Sequence, residues 1–125
     1  MIQAAVGNGV IVSIGSVVSK GGFANSGAYA SSKAALVALA KTVAQEVASR
    51  SIRCNAALPG LVQTSMAGEL LGEDTWEFIY RTPMHGASGT TGRSCACAGA
   101  IAFPCTPSSS YITGAALDVT GGYSM

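Results

Sequence analysis

Apolar positions along this chain fall into short continuous runs and one long stretch with helical spacing. Residues 9–14 form a short, mainly apolar run that leads into Gly15 and Ser16, which is typical of a buried strand. From about residue 27 to residue 50, apolar side chains recur three and four positions apart, and this spacing predicts an amphipathic helix. The stripe that we expect to face a sheet is Leu36, Leu39, Ala40, Val43 and Val47.

The other apolar segments predict two further strands and a second helix. A strand is expected over about residues 53–57, stopped by Pro59 and Gly60. Residues 69–80 carry apolar side chains at helical spacing, and residues 115–119 predict a last strand. Alternating strands and helices favour an α/β fold, in which a parallel sheet has flanking helices joined by right-handed crossovers.

Composition narrows the environment of the protein. At 125 residues the chain has room for one domain. Charged residues make up 10% of it, against about 25% in typical globular chains, so we expect much of its surface to pack against another structure. A net charge of +1 without a basic cluster argues against nucleic acid or membrane partners. We also expect no signal peptide, no membrane span and a cytoplasmic location.

The cysteines and the single histidine do not have the spacing of a metal site. Cys95 and Cys97 are one residue apart, whereas structural zinc sites use about two to four intervening residues. His85 lies ten residues before Cys95. We therefore expect no metal site, and reduced thiols at these positions and at Cys54 and Cys105.

Ser16, Tyr29 and Lys33 carry three groups with distinct chemical uses. Tyr29 and Lys33 are four residues apart on the predicted helix, so the phenol and the ammonium share one face. A positive charge near a phenol stabilises the phenolate, which suits a group that exchanges protons. Ser16 follows the first strand, at the sheet edge where open α/β sheets bind ligands, and its hydroxyl suits a carbonyl or alcohol oxygen.

Each of these residues also has a simpler structural interpretation. A tyrosine packed beneath a lysine stem is the commoner reason for such a pair on a helix surface. A serine at a strand end often bonds its neighbouring backbone. The order of a buried strand, a glycine-rich loop and a helix around all three residues favours the catalytic interpretation.

At these positions the chain resembles the short-chain dehydrogenase/reductase family. The resemblance rests on Ser16, the thirteen-residue step to Tyr29, and the Tyr29-x-x-x-Lys33 spacing. Residues 52–64 are similar to that family's strand and Pro-Gly cofactor turn, and residues 111–122 to its last strand. The resemblance implies a Rossmann-like parallel sheet with flanking helices, of which this chain is the C-terminal half of a doubly wound fold.

The resemblance also implies a reaction. Tyr29 would be the general acid/base for hydride transfer between NAD or NADP and a small alcohol or carbonyl substrate. Lys33 would bind the nicotinamide ribose and stabilise the phenolate, and Ser16 would orient the substrate oxygen.

Four further residues are implied to contact the cofactor. Pro59 and Gly60 would shape the turn beside the nicotinamide, Val62 would meet the carboxamide through its backbone, and the Thr64 hydroxyl would contact carboxamide or phosphate. Family resemblance further implies a homodimer or homotetramer in which the alanine-rich helix packs against its copy.

Two departures from the family pattern leave alternatives open. Residues 1–9 cannot supply the family's glycine-rich pyrophosphate turn, so we expect residues 1–125 to form a single partial domain without the dinucleotide-binding half. Between Thr82 and Leu117 the only formal charge is Arg93, a pattern that either divergence or a locally shifted reading frame would produce. Glycine and serine over residues 86–97 oppose a helix there, whereas residues 98–103 favour one.

Three functional hypotheses follow from the sequence. The first is an oxidoreductase for which this chain is the catalytic half. The second is an inactive fragment that acts only as a folding or oligomerisation module. The third is a small independent enzyme that uses the same three residues for another proton transfer.

Overall fold

Three parallel strands and two helices make up the framework of the part of the chain that the structure describes. The computed structural model describes residues 8–22, 24–62, 64–65 and 94–122; the helix predicted over residues 69–80 lies outside them. The strands β1 (Val10–Ile14), β2 (Arg53–Pro59) and β3 (Ala116–Val119) pair in the order β1-β2-β3. Helix α1 (Gly27–Val47) connects β1 to β2, and α2 (Ser94–Ala102) precedes β3. The predicted α/β fold with a parallel sheet is confirmed.

Three element boundaries differ from the sequence prediction. Helix α1 ends at Val47, and residues 48–50 form a 3-10 turn where the helix was expected to continue. Strand β2 is longer than expected and includes Leu58 and Pro59. Pairing with β1 ends where Ile14 faces Ala57, so beyond that point β2 pairs with β3 alone. Pro59 lies in this part of the strand, where one side has no partner strand and the missing N–H of a proline is tolerated. Helix α2 begins at Ser94, inside the segment expected to oppose a helix; burial of Cys97 offsets the low propensity there.

The core lies between α1 and one face of β2. Cys54, Ala56 and Leu58 alternate along β2 and therefore point to the same face. They pack against Ala40 and Ala44 of α1, and all five residues are buried. Because the alanine side chains are short, the helix backbone lies close to the sheet.

The apolar stripe predicted for α1 is wrong at one position. Leu39 is 58% exposed, so it points away from the sheet. The other four predicted positions agree with the structure: Ala40 and Val47 are buried, and Leu36 and Val43 are partly buried. Val37 and Ala44 complete the face that packs against the sheet. Alanines surround the larger apolar residues of α1, so more than one face of the helix has apolar residues three and four positions apart. Packing against β2 determines which of these faces is buried.

Polar side chains of β2 hold the segment that leads into β3. The fully buried Asn55 donates from Nδ2 to the Ile112 carbonyl (2.9 Å) and accepts at Oδ1 from the Ala115 N–H (3.0 Å). The Arg53 guanidinium donates to the Ser109 carbonyl at 2.9 Å. These bonds fix where β3 begins and hence which residues follow its end.

Candidate active site

Ser16 lies directly beyond the carboxyl end of β1, in a position that Gly15 makes possible. The Gly15 N–H donates to the Ala57 carbonyl at 2.8 Å, which extends the ladder by one bond. A Cβ on Gly15 would lie 2.6 Å from a methyl carbon of Leu58, so a larger residue would collide with the core. From here the chain enters a segment that we call the Ser16 turn, residues 16–20, which contains the 3-10 turn Val17–Ser19.

The side chain of Ser16 is not used to cap that turn. Ser16 is buried, at 9% exposure, and its hydroxyl makes no capping hydrogen bond. Its carbonyl instead accepts hydrogen bonds from the N–H of Ser19 (3.0 Å) and from the Ser19 hydroxyl (2.6 Å). The interpretation of Ser16 as a residue that caps its neighbouring backbone therefore has no support in this turn.

Lys33 connects α1 to the end of β1. Its ammonium donates to the Ile14 carbonyl at 3.1 Å, two residues before Ser16. The same nitrogen lies 5.6 Å from the centre of the Tyr29 ring, within the range of a cation–π contact. Tyr29 occupies the first turn of α1 and is 47% exposed. A cation, a phenol and the chain that carries Ser16 thus meet at one edge of the sheet.

The residues that the sequence predicts to form a cofactor turn follow the end of β2 at the same edge, because the strands are parallel. Pro59 ends β2, and the Gly60 N–H donates to the Val119 carbonyl at 3.1 Å. A Cβ on Gly60 would come 3.1 Å from the Cα of Thr120, so β2 and β3 stay in close backbone contact beyond their ends. Val62 is half-buried and Thr64 is exposed.

The opposite edge of the sheet holds a cavity that is separate from this site. Its volume is about 670 Å³, and residues at the amino ends of β1 and β2 line it, among them Val10, Ile52 and Arg53. Arg53 uses its guanidinium to hold the backbone near Ser109, which gives that residue a structural task. The chemistry-bearing residues predicted from the sequence lie at the other edge.

Three cysteines of the described part of the chain form no disulfide. Cys54 and Cys97 are buried and Cys105 is exposed; burial raises the pKa of the Cys54 thiol. Within the described residues, no three His, Cys, Asp or Glu side chains are close enough to hold a metal ion. None of the described helices is long and apolar enough to span a membrane.

Comparisons with known proteins decide which family this arrangement comes from. A family model described as enoyl-(acyl carrier protein) reductase matches residues 1–124. The 3-oxoacyl-(acyl-carrier-protein) reductase FabG of Salmonella typhimurium is 38% identical over 117 residues, which cover 94% of this chain and 46% of that protein. The chain belongs to the short-chain dehydrogenase/reductase family.

Solved structures of this oxidoreductase family share the fold. A short-chain dehydrogenase/reductase described as glucose/ribitol dehydrogenase, from Brucella melitensis, matches with a TM-score of 0.82 at 30% identity, over 95% of this chain and 46% of that one. A 7α-hydroxysteroid dehydrogenase, solved with NADH and 7-oxo glycochenodeoxycholic acid, matches with a TM-score of 0.84 at 30% identity, over 94% and 45%. The Rossmann-like fold and the family inferred from the sequence are confirmed. The chain spans about half the length of the relatives it matches.

Proposed function

We propose that this chain is the catalytic half of an oxidoreductase that transfers a hydride between NAD or NADP and a small alcohol or carbonyl substrate. The observation that carries the proposal is the position of the Lys33 ammonium, 3.1 Å from the Ile14 carbonyl and 5.6 Å from the Tyr29 ring centre. It places a fixed positive charge beside a half-exposed phenol at the end of β1. Membership of the short-chain dehydrogenase/reductase family supports the reaction class.

In this proposal Tyr29 moves the proton. Its hydroxyl protonates the substrate oxygen during carbonyl reduction and accepts the hydroxyl proton during alcohol oxidation. The Lys33 ammonium keeps a positive charge 5.6 Å from the centre of the Tyr29 ring. An ammonium has three N–H donors; Lys33 directs one to Ile14, which leaves the others for ribose hydroxyls. The Ser16 hydroxyl donates to the substrate oxygen and orients it.

The residues beyond β2 fit the nicotinamide end of a dinucleotide. The absence of a side chain on Gly60 lets Thr120 approach closely, which keeps the ends of β2 and β3 together beside the proposed nicotinamide surface. Pro59 and Gly60 would shape this surface, the Val62 backbone would meet the carboxamide, and the Thr64 hydroxyl would contact carboxamide or phosphate. When bound, the nicotinamide supplies or accepts the hydride.

We further propose that residues 1–125 are a single partial domain, completed by a dinucleotide-binding half. The chain covers 46% of the FabG relative, and residues 1–9 contain no glycine-rich pyrophosphate turn. The intact mass of the protein from its source, with the coding sequence upstream of residue 1, tests this. An in-frame segment with a strand, a glycine-rich turn and a helix is expected.

Tyrosine substitutions in the protein that carries this chain test the catalytic role. Activity is measured with NADH and with NADPH on a carbonyl panel chosen from the relatives, namely a 3-oxoacyl thioester and a 7-oxo bile acid. Tyr29→Phe is expected to lower kcat by about 10²–10⁴-fold, the range for loss of a general acid. Tyr111→Phe is the matched control, because Tyr111 is fully exposed. Equal kcat values for the two variants would remove Tyr29 from the mechanism.

The alternative, an inactive folding or oligomerisation module, is favoured by one observation. Leu39 is 58% exposed on α1, and we propose that this face packs against its copy in a homodimer or homotetramer. Cofactor affinity separates the two functions: Lys33→Ala should weaken NAD(P)H binding, while Lys41→Ala on the exposed side of α1 should not. A protein that oligomerises through α1 but binds neither cofactor would support the alternative.

A further inference from the structure

Lys20 and Asp118 form an ion pair between two segments that lie 98 positions apart in the chain. The Lys20 Nζ lies 2.6 Å from Asp118 Oδ2, and the two side chains are 46% and 48% exposed. Lys20 ends the Ser16 turn, whereas Asp118 belongs to β3. The pair therefore joins the segment that carries Ser16 to the far strand of the sheet.

The path of the Ser16 turn explains how this contact arises. Val17 is buried, and the turn packs against both α1 and β2. Asp118 lies opposite Leu58 in the β2–β3 register, and Leu58 faces α1. Because paired residues of adjacent strands point to the same face, Asp118 is on the α1 side of the sheet, where Lys20 reaches it over the end of β2.

Charges in the described part of the chain make this pairing specific. The other described carboxylate, Glu46, lies in the last turn of α1, near the opposite edge of the sheet. Lys33, the other described cation near the end of β1, donates to the Ile14 carbonyl. At this edge, Asp118 is thus the described carboxylate within reach of Lys20.

We propose that Lys20 and Asp118 are positioning residues for Ser16. The Gly15 N–H bond to Ala57 holds the start of the Ser16 turn, and the ion pair holds its end. Between them, two hydrogen bonds from Ser19 fix the Ser16 carbonyl. A turn held at both ends keeps the Ser16 hydroxyl in one place, and such preorganisation is what orientation of a substrate requires. The catalytic part of this inference rests on the proposed function.

Amide hydrogen exchange tests the structural part without any need for activity. The reporters are the Ser19 and Lys20 N–H groups, which donate to the carbonyls of Ser16 and Val17. In Lys20→Met and in Asp118→Asn we expect their exchange to accelerate about two- to five-fold, as loss of a half-exposed ion pair predicts. The double variant with the charges exchanged, Lys20→Asp with Asp118→Lys, should restore slow exchange.

Matched charge removals elsewhere serve as controls. Lys41→Met and Glu46→Gln lie on exposed positions of α1 and should leave both reporters unchanged. Unchanged exchange in the Lys20 and Asp118 variants would overturn the inference. Equal acceleration of amides throughout β2 would also overturn it, because it would show a general loss of stability.

Kinetics on the carbonyl panel test the catalytic part. The two single variants should lower kcat by about two- to five-fold with unchanged cofactor affinity, and the charge exchange should restore it. Faster exchange with unchanged kcat in an active protein would overturn the positioning role. Absence of hydride transfer in the unmodified protein would contradict the proposed function, and the exchange data would then still decide whether the pair holds the turn.

Discussion

Replacement of Asn55 by alanine tests how the sheet edge of the candidate site is assembled. Asn55 is fully buried. Its amide donates to the Ile112 carbonyl and accepts from the Ala115 N–H. Both partners lie in the segment that sets the start of β3, and β3 in turn places Thr120 beside Gly60. Asn55→Ala removes both bonds. The Ile112 carbonyl keeps a hydrogen bond from the Arg53 guanidinium at 3.3 Å, whereas the Ala115 N–H loses its partner.

The expected destabilisation can be estimated from these contacts. Two hydrogen bonds contribute about 1 kcal/mol each, and the part-buried Ala115 N–H that loses its partner adds about 1 kcal/mol. The free energy of unfolding should therefore fall by about 3 kcal/mol. With a urea m-value of about 2 kcal/mol per M, the unfolding midpoint should shift down by about 1.5 M.

Urea unfolding, followed by circular dichroism, measures this shift. Gln45→Ala is the matched control, because it truncates an exposed amide on α1, and its effect should stay within about 0.5 kcal/mol. A midpoint for Asn55→Ala that equals the control midpoint would refute the conclusion that the buried amide holds the entry to β3.

Two further substitutions test packing and titration. Gly15→Ala would place a methyl group 2.6 Å from a carbon of Leu58 and should lower the free energy of unfolding by about 1–3 kcal/mol. Gly22→Ala is the control, because nothing lies within 4 Å of the added carbon, and it should leave the free energy of unfolding unchanged by this mechanism. Because burial raises the pKa of Cys54, the unfolded chain loses the thiol proton first, so wild-type stability should fall as pH rises past about 8.5. The difference in free energy of unfolding between wild type and Cys54→Ala should therefore decrease between about pH 8 and pH 10. The difference between wild type and Cys105→Ala should not change over this range, because Cys105 is exposed.

The order of the described elements and the proximity of Lys33 to the Tyr29 ring were predictable from local patterns. A continuous apolar run identified β1, helical spacing identified α1, and the Tyr29–Lys33 spacing placed both side chains on one face. These features depend on residues close in sequence, where periodicity of 2 or 3.6 residues is decisive. The prediction of Leu39 as a core residue failed because alanines on α1 make several faces similar in hydrophobicity.

Contacts between distant segments were not predictable from those patterns. The ion pair of Lys20 with Asp118 joins residues 98 positions apart, and no local spacing marks either partner. Asn55 is different, since an amide within the apolar run of β2 is itself a signal of a buried hydrogen-bonded side chain. That signal indicates a partner but not its position, which depends on the register of β3.

Transfer of deuterium tests the central claim most directly. The protein that carries this chain is mixed with the carbonyl panel and with NADH or NADPH that carries deuterium at the transferable position of the nicotinamide. Mass spectrometry of the product alcohol should find deuterium for the unmodified protein and for Tyr111→Phe, and about 10²–10⁴-fold less per unit time for Tyr29→Phe. The assignment of Tyr29, Lys33 and Ser16 as catalytic residues would be contradicted by either of two results. One is the same rate of deuterated alcohol formation in all three proteins, and the other is no deuterated alcohol from the unmodified protein.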